Sequence, residues 1–144
     1  MTRNRWRGIL RYGLFNAIRL KREISRNHTE PKFRLAVCAI AKNEGPYFKE
    51  WIEWHLAHGV DQFFIYDNES TDGTREILEP YIERGVVDYK YWPGYRMQLA
   101  AYDHCLEHHR FDSRWIAFID LDEFIVPVKD LSLIHISEPT RQEA

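Results

Sequence analysis

Phe33-Arg34-Leu35-Ala36-Val37-Cys38-Ala39-Ile40-Ala41-Lys42-Asn43-Glu44-Gly45-Pro46 carries the change of pattern that decides the fold. Nine residues, apolar except for Arg34, suit a strand buried on both faces, and the polar run ending in Gly45 and Pro46 stops it. Pro46 suits the first turn of a helix, where a missing N–H costs nothing. Phe48, Trp51, Ile52, His55 and Leu56 then fall on one helical face, and Gly59 closes it. Outward from this unit the pattern repeats. Gln62 to Tyr66 reads as a second strand, Gly73 to Arg84 as a helix stopped by Gly85, and Val86 to Tyr91 as a third strand. Beyond the turn at Pro93 and Gly94, the spacing of Met97, Ala100, Ala101 and Cys105 predicts a helix over Arg96 to His109. Trp115 to Ile119 is a fourth apolar strand, ending at Asp120. Strands alternating with helices of this length predict right-handed crossovers and a parallel, doubly wound α/β sheet. Ligands of such sheets bind beyond the carboxyl ends of the strands.

The chain has 144 residues, room for one domain or part of a larger one. At 44% hydrophobic and 29% charged, with 5 Trp, 8 Tyr and 8 Phe, it should fold around a packed core, which excludes a disordered or collagen-like polypeptide. Charged residues such as Arg11, Lys42 and Asp67 cut every apolar run well short of the roughly 18 residues a membrane span needs. Residues 1–30 hold eight Lys or Arg against two Glu, a net of +6, leaving twelve basic and twenty acidic groups, a net of −8, for residues 31–144. So acidic a body argues against a nucleic-acid-binding face, which needs clustered cations to displace phosphate counterions. Cys38 and Cys105 lie in apolar surroundings without C-x-x-C spacing, which reads as two reduced, buried thiols.

Trp6, Leu10, Leu14 and Ile18 recur at i+4 among seven basic residues, from Arg5 to Arg26, and predict a basic amphipathic helix over Arg3 to Arg26. Arg11 interrupts its apolar part and no small-residue cleavage site comes after it, so the expectation is a cytoplasmic protein rather than a secreted one. Two uses of the helix remain open. It could lie on an anionic membrane surface at the inner face, with Trp6 and Phe15 in the acyl boundary, or dock on protein. The N-x-T triplet at Asn27 to Thr29 reads as accidental without a secretion signal.

The placement of carboxylates carries the chemistry. Asp67 ends the second strand, and Asp120 and Asp122 end the fourth, so all three should converge on one sheet edge. Asp120-Leu121-Asp122 offers two hard oxygen ligands suited to Mg²⁺ or Mn²⁺, which beside a diphosphate would neutralise charge on a departing nucleotide. An isolated Asp-x-Asp also occurs on solvated loops, but folding alone gives no reason for three acids between Ile119 and Phe124. Ser70, Thr71 or Asp72 can cap the next helix, which accounts for residues 70–74 without function. That reading leaves out Asp67, whose carboxylate could accept from a base N–H or a ribose hydroxyl. Lys42 and Asn43 would flank the same cleft.

Ala39-Ile40-Ala41-Lys42-Asn43-Glu44, Asp67 to Thr74, and Trp115 to Phe124 ending in Asp-Leu-Asp-Glu-Phe resemble the nucleotide-sugar-binding half of a GT-A-fold glycosyltransferase of family 2, and more closely its family 92-like relatives. The segment Gln98, Ala101, Tyr102, Cys105 is also similar to the family 92 pattern. The likeness covers about residues 33–127 and implies a Rossmann-like GT-A sheet. It implies a nucleotide-sugar donor, uridine-linked, and transfer of the sugar to an acceptor hydroxyl with inversion by in-line displacement, assisted by a carboxylate base. It further implies nucleotide contacts from Ala41, Lys42, Asn43, Asp67 and Asp120, and a divalent cation, Mn²⁺ or Mg²⁺, on Asp122 and Asp120. Such enzymes continue into an acceptor-binding half that carries the base, so the expectation is a fold truncated after the Asp-x-Asp strand, with no base named. The tail Leu131 to Gln142 resembles translated sequencing-adapter DNA. The resulting division is a basic helical extension over 1–30, a nucleotide-sugar-binding part over 31–130, and a non-native tail over 131–144.

Two rival functions fit parts of the chain. A Mg²⁺-dependent aspartate-nucleophile phosphatase also uses Asp-x-Asp at a strand end, but there the motif sits on the first strand and has Thr or Val where Phe124 stands here. A non-catalytic nucleotide-binding module, or an inactive fragment, would be the consequence of a missing acceptor half. The pairs His55/His58 and His104/His108 have metal-ligand spacing on helices, yet neither carries the Glu of H-E-x-x-H, and packing explains them better.

Overall fold

The computed structural model describes residues 30–127; the helix expected over Arg3 to Arg26 and the tail from 131 lie outside the described residues. Four strands form one all-parallel sheet: β1 (Phe33–Ala41), β2 (Gln62–Asp67), β3 (Val87–Tyr91) and β4 (Ser113–Phe118). Three helices connect them, α1 (Gly45–Ala57), α2 (Thr74–Glu83) and α3 (Gln98–His109). The sheet order is β3-β2-β1-β4. The chain therefore builds outward from β1 through β3, then returns across the sheet to add β4 on the other side of β1. That reversal sets a topological switch point between β1 and β4, where open α/β sheets open a crevice.

Alternation along β1 explains the two layers. Val37, Ala39 and Ala41 join Phe63 and Ile65 of β2 under Phe48, Trp51 and Ile52 of α1 and Leu78 and Tyr81 of α2. Ala36 and Cys38 point to the opposite face, with Phe64 and Tyr66 under Ala101 and Cys105 of α3. Residues 36–39 are wholly buried and every residue of β2 is buried, which is why both strands read as largely apolar runs. Each large side chain so enclosed contributes about 1.5–3 kcal/mol of hydrophobic stabilisation. The edge strand β3, Val-Asp-Tyr-Lys-Tyr, alternates instead, because less of it is covered.

Element boundaries differ from the expected ones for local reasons. The third helix starts at Gln98 rather than Arg96, since Arg96 adopts φ +55°, a left-handed conformation that cannot continue a helix. Gly73, at φ +79°, is the N-cap of α2 rather than its first residue. The fourth strand begins two residues early, at Ser113, and Ile119 extends its ladder by one hydrogen bond to the Cys38 carbonyl. None of the described helices is long and apolar enough to cross a membrane.

Candidate functional site

Because the sheet is parallel, its carboxyl edge gathers the loops after β1, β2, β3 and β4. The loop after β1 is tied to the loop after β2. Asn43, at φ +56°, donates its amide to Ser70 Oγ (2.9 Å) and accepts the Thr71 amide on Oδ1 (2.7 Å). The Ala41 carbonyl accepts the Asn68 amide at 2.8 Å. Asp72 bridges two helix starts, accepting the Gly45 amide on Oδ2 (2.9 Å) and the Thr74 amide and hydroxyl on Oδ1 (3.1 and 2.6 Å). The Thr74 hydroxyl and the backbone amides hold the Asp72 carboxyl below its ordinary range. The capping role expected of Ser70, Thr71 or Asp72 thus falls to Asp72, although no side chain caps through the N-cap position itself.

Asp67 is built into the same structure. It is 3% exposed, with Oδ1 accepting the Ser70 amide (2.9 Å) and Oδ2 accepting the Tyr89 hydroxyl (2.6 Å). One turn of loop and one edge strand are therefore fastened to a single carboxylate. The Asn68 side chain extends the fastening to the loop after β3, donating to the carbonyls of Trp92 (2.8 Å) and Gly94 (2.9 Å).

The turn after β4 is arranged differently. Glu123 folds back so that Oε2 accepts the Asp120 amide, while its own amide donates to the Asp120 carbonyl, both at 3.1 Å. Leu121 enters the core between the two aspartates, which leaves Asp120 and Asp122 exposed on either side of it. From α1, Trp51 Nε1 donates to the Glu123 carbonyl (2.9 Å). His55 Nδ1 pairs with the Trp51 carbonyl (2.8 Å) and Nε2 accepts the Ile125 amide (3.3 Å). Those two partners fix the neutral tautomer with its proton on Nδ1, and burial pulls the imidazole below its ordinary range. His104 likewise packs against Tyr66, its Nδ1 2.8 Å from the hydroxyl. His55 and His104 serve packing, and no metal-holding group of three or more His, Cys, Asp or Glu occurs among the described residues.

Asp120, Asp122 and Asp67 do reach one edge, but with different exposures. Of the residues expected to meet a nucleotide, Ala41, Asn43 and Asp67 are engaged in holding the loops together, whereas Lys42 and Asp120 are exposed. Two members of the site stand within the family motifs but were given no role from the sequence. Glu44 lies close enough to feel both aspartates: burial pushes its carboxyl above the ordinary range, and the charges of Asp120, Asp122 and Asp72 add to this against a hydrogen bond from the Lys42 amide. Its position directly after Lys42 and Asn43 was the available signal. Gln98 Nε2 donates to Asp120 Oδ1 (3.3 Å) and to the Tyr102 hydroxyl (3.1 Å), a pairing across 22 residues that no local spacing announces.

Comparison with known proteins decides the family. The family model of glycosyltransferase family 92 matches residues 34–139, which takes in the sheet from Arg34 onward, the acidic turn and the segment 131–139 expected from its sequence to be non-native. The chain belongs to glycosyltransferase family 92. It is 38% identical over 92 residues to a family 92 protein of Oryza sativa subsp. japonica, covering 63% of this chain and 16% of that one. A family 92 protein of Arabidopsis thaliana is 37% identical over 94 residues, covering 65% and 16%. A galactan beta-1,4-galactosyltransferase of Arabidopsis thaliana is 33% identical over 93 residues, covering 57% and 18%. The chain thus spans less than a fifth of the length of these relatives.

Proposed function

We propose that this family 92 chain binds the donor of a glycosyl transfer, a uridine-linked nucleotide sugar, at the switch point between β1 and β4. The observation that carries the reading is the pair Asp120 and Asp122, exposed beyond β4 beside that switch point while the neighbouring loops are closed by internal hydrogen bonds. The relation to GT-A enzymes of family 2 rests on the resemblance of Ala39–Glu44, Asp67–Thr74 and Trp115–Phe124.

A divalent cation, Mn²⁺ or Mg²⁺, fits this donor set. Two exposed carboxylates suit an ion held by one or two carboxylates together with substrate phosphates. Asp122, with Asp120, would hold it, and its chemistry there is to neutralise charge on the leaving diphosphate. In this reading Lys42, exposed just after β1, would meet the phosphates. Asp67 acts on the base indirectly, by shaping the Asn68–Thr71 loop through its bonds to Ser70 and Tyr89. The sugar passes to an acceptor hydroxyl by in-line displacement with inversion, the acceptor being a glycan as the galactan transferase relative suggests. Glu123 is not the base, since its carboxylate is turned onto the Asp120 amide. For the basic segment over residues 3–26 two uses stay open, an anionic membrane surface or docking on protein, and co-sedimentation with phosphatidylserine vesicles, with and without residues 1–30, separates them.

Titration of uridine diphosphate into the full-length protein tests the donor site. Mn²⁺ should strengthen binding, and Asp122→Ala should remove that gain. Binding without any sugar transfer or donor hydrolysis would favour a non-catalytic nucleotide-binding module instead.

A further inference from the structure

We infer that Gln98 is a positioning residue that aims the Asp120 carboxylate at the donor complex; this rests on the proposed donor site. Asp120 is exposed and stands beyond the end of β4, so packing alone leaves its side chain free to rotate. Its main chain is fixed by Glu123, through the two 3.1 Å bonds that close the turn. Its side chain is fixed by a different residue. Gln98 Nε2 reaches Oδ1 at 3.3 Å and the Tyr102 hydroxyl at 3.1 Å, leaving Oδ2 with no donor among the described residues.

The register that makes this contact comes from the core. Ala101 and Cys105 are fully buried against Ala36 and Cys38 of β1, which sets the height of α3 over the sheet. Tyr102 then lies on Phe118, ring centroids 4.8 Å apart, and Phe118 is two residues before Asp120. Gln98, one turn before Tyr102, is thereby held opposite the acidic turn. Its chemistry suits the task. A neutral amide orients a carboxylate without cancelling its charge, whereas Lys or Arg at this place would compete with a cation. Side chains that orient metal ligands in this way typically change metal affinity by about 10–100-fold when removed.

The test is calorimetric titration of uridine diphosphate into full-length wild-type, Gln98→Ala and Gln98→Glu proteins, with and without Mn²⁺, beside thermal melts of each. Gln98→Ala should bind about tenfold more weakly with Mn²⁺ and as wild type without it, at an unchanged melting temperature. Gln98→Glu keeps the length but loses the donor and adds a like charge, so it should lose at least as much. The electron paramagnetic resonance signal of Mn²⁺ bound with uridine diphosphate should broaden or split differently in both variants. Tyr102→Phe, which keeps the ring on Phe118, should have the smallest effect. Wild-type affinity in Gln98→Ala with Mn²⁺, or an equal loss with and without the metal, would overturn the positioning role while leaving the donor site standing. If the wild type itself gains nothing from Mn²⁺, the donor site fails and this inference with it.

Discussion

Asp67 and Asp120 are the same residue type at the same edge of one sheet, yet they have opposite environments. Asp67 is buried and both its oxygens accept bonds from the protein; Asp120 is exposed, with one oxygen held by a single long bond. The difference comes from the path of the chain beyond each strand. After β2 the chain turns back through Ser70 onto the strand end, whereas after β4 Leu121 dives into the core and pushes its two acidic neighbours outward. A carboxylate enclosed by donors builds structure, and one left facing water is available to a ligand.

The comparison breaks first where the acidic turn is anchored. Trp51→Ala should cost about 3–5 kcal/mol, because it removes a fully buried indole and the bond to the Glu123 carbonyl together. Chemical denaturation would measure it, and a loss below about 1 kcal/mol would mean the turn is not held from α1. Next comes Asp67→Ala, which leaves the part-buried Ser70 amide and Tyr89 hydroxyl without their acceptor and should cost about 1–3 kcal/mol in all. Tyr89→Phe removes one of those bonds and should cost about 1 kcal/mol. Asp122→Ala should sit at the bottom of the stability scale, within about 0.5 kcal/mol of wild type, while abolishing the Mn²⁺-dependent gain in uridine diphosphate binding. A large stability loss there would erase the contrast between the two regions.

A pH series sharpens the same comparison. Burial lowers the folded-state pKa of His55 and of His104 below the unfolded value near 6.5. The unfolded chain then binds more protons below that pH, so stability should fall as the pH drops from about 6.5 through the folded values. The melting temperature measured between pH 7 and 5 should decline, and His55→Gln should flatten part of the slope. An unchanged slope would mean that His55 does not stay neutral against the Ile125 amide.

Much of this was legible in the sequence. The strands and helices emerge from apolar periodicity, because β1 and β2 are buried on both faces and α1 on one. The switch point was not legible, because right-handed crossovers alone do not say that the fourth strand adds beside β1. What the sequence could not show was which polar side chains would be consumed by the fold. Asp67 reads as a free carboxylate at a strand end until Tyr89 is seen to arrive from the next strand. Gln98 reads as one more residue in the first turn of a helix until the crossover from β3 to β4 lays that helix beside the acidic turn. Glu44 reads as a turn residue until β1 and β4 become neighbours. Each of these depends on a contact between distant segments, which local patterns do not encode.

Whether the exposed acidic turn, rather than the closed loop after β2, takes the donor is decided by uridine diphosphate affinity with and without Mn²⁺ in wild type and Asp122→Ala. Tighter binding with Mn²⁺ in the wild type and no such gain in the variant, at matching melting temperatures, is the expected result. Binding that ignores the metal in both proteins would contradict a donor site built on Asp120 and Asp122.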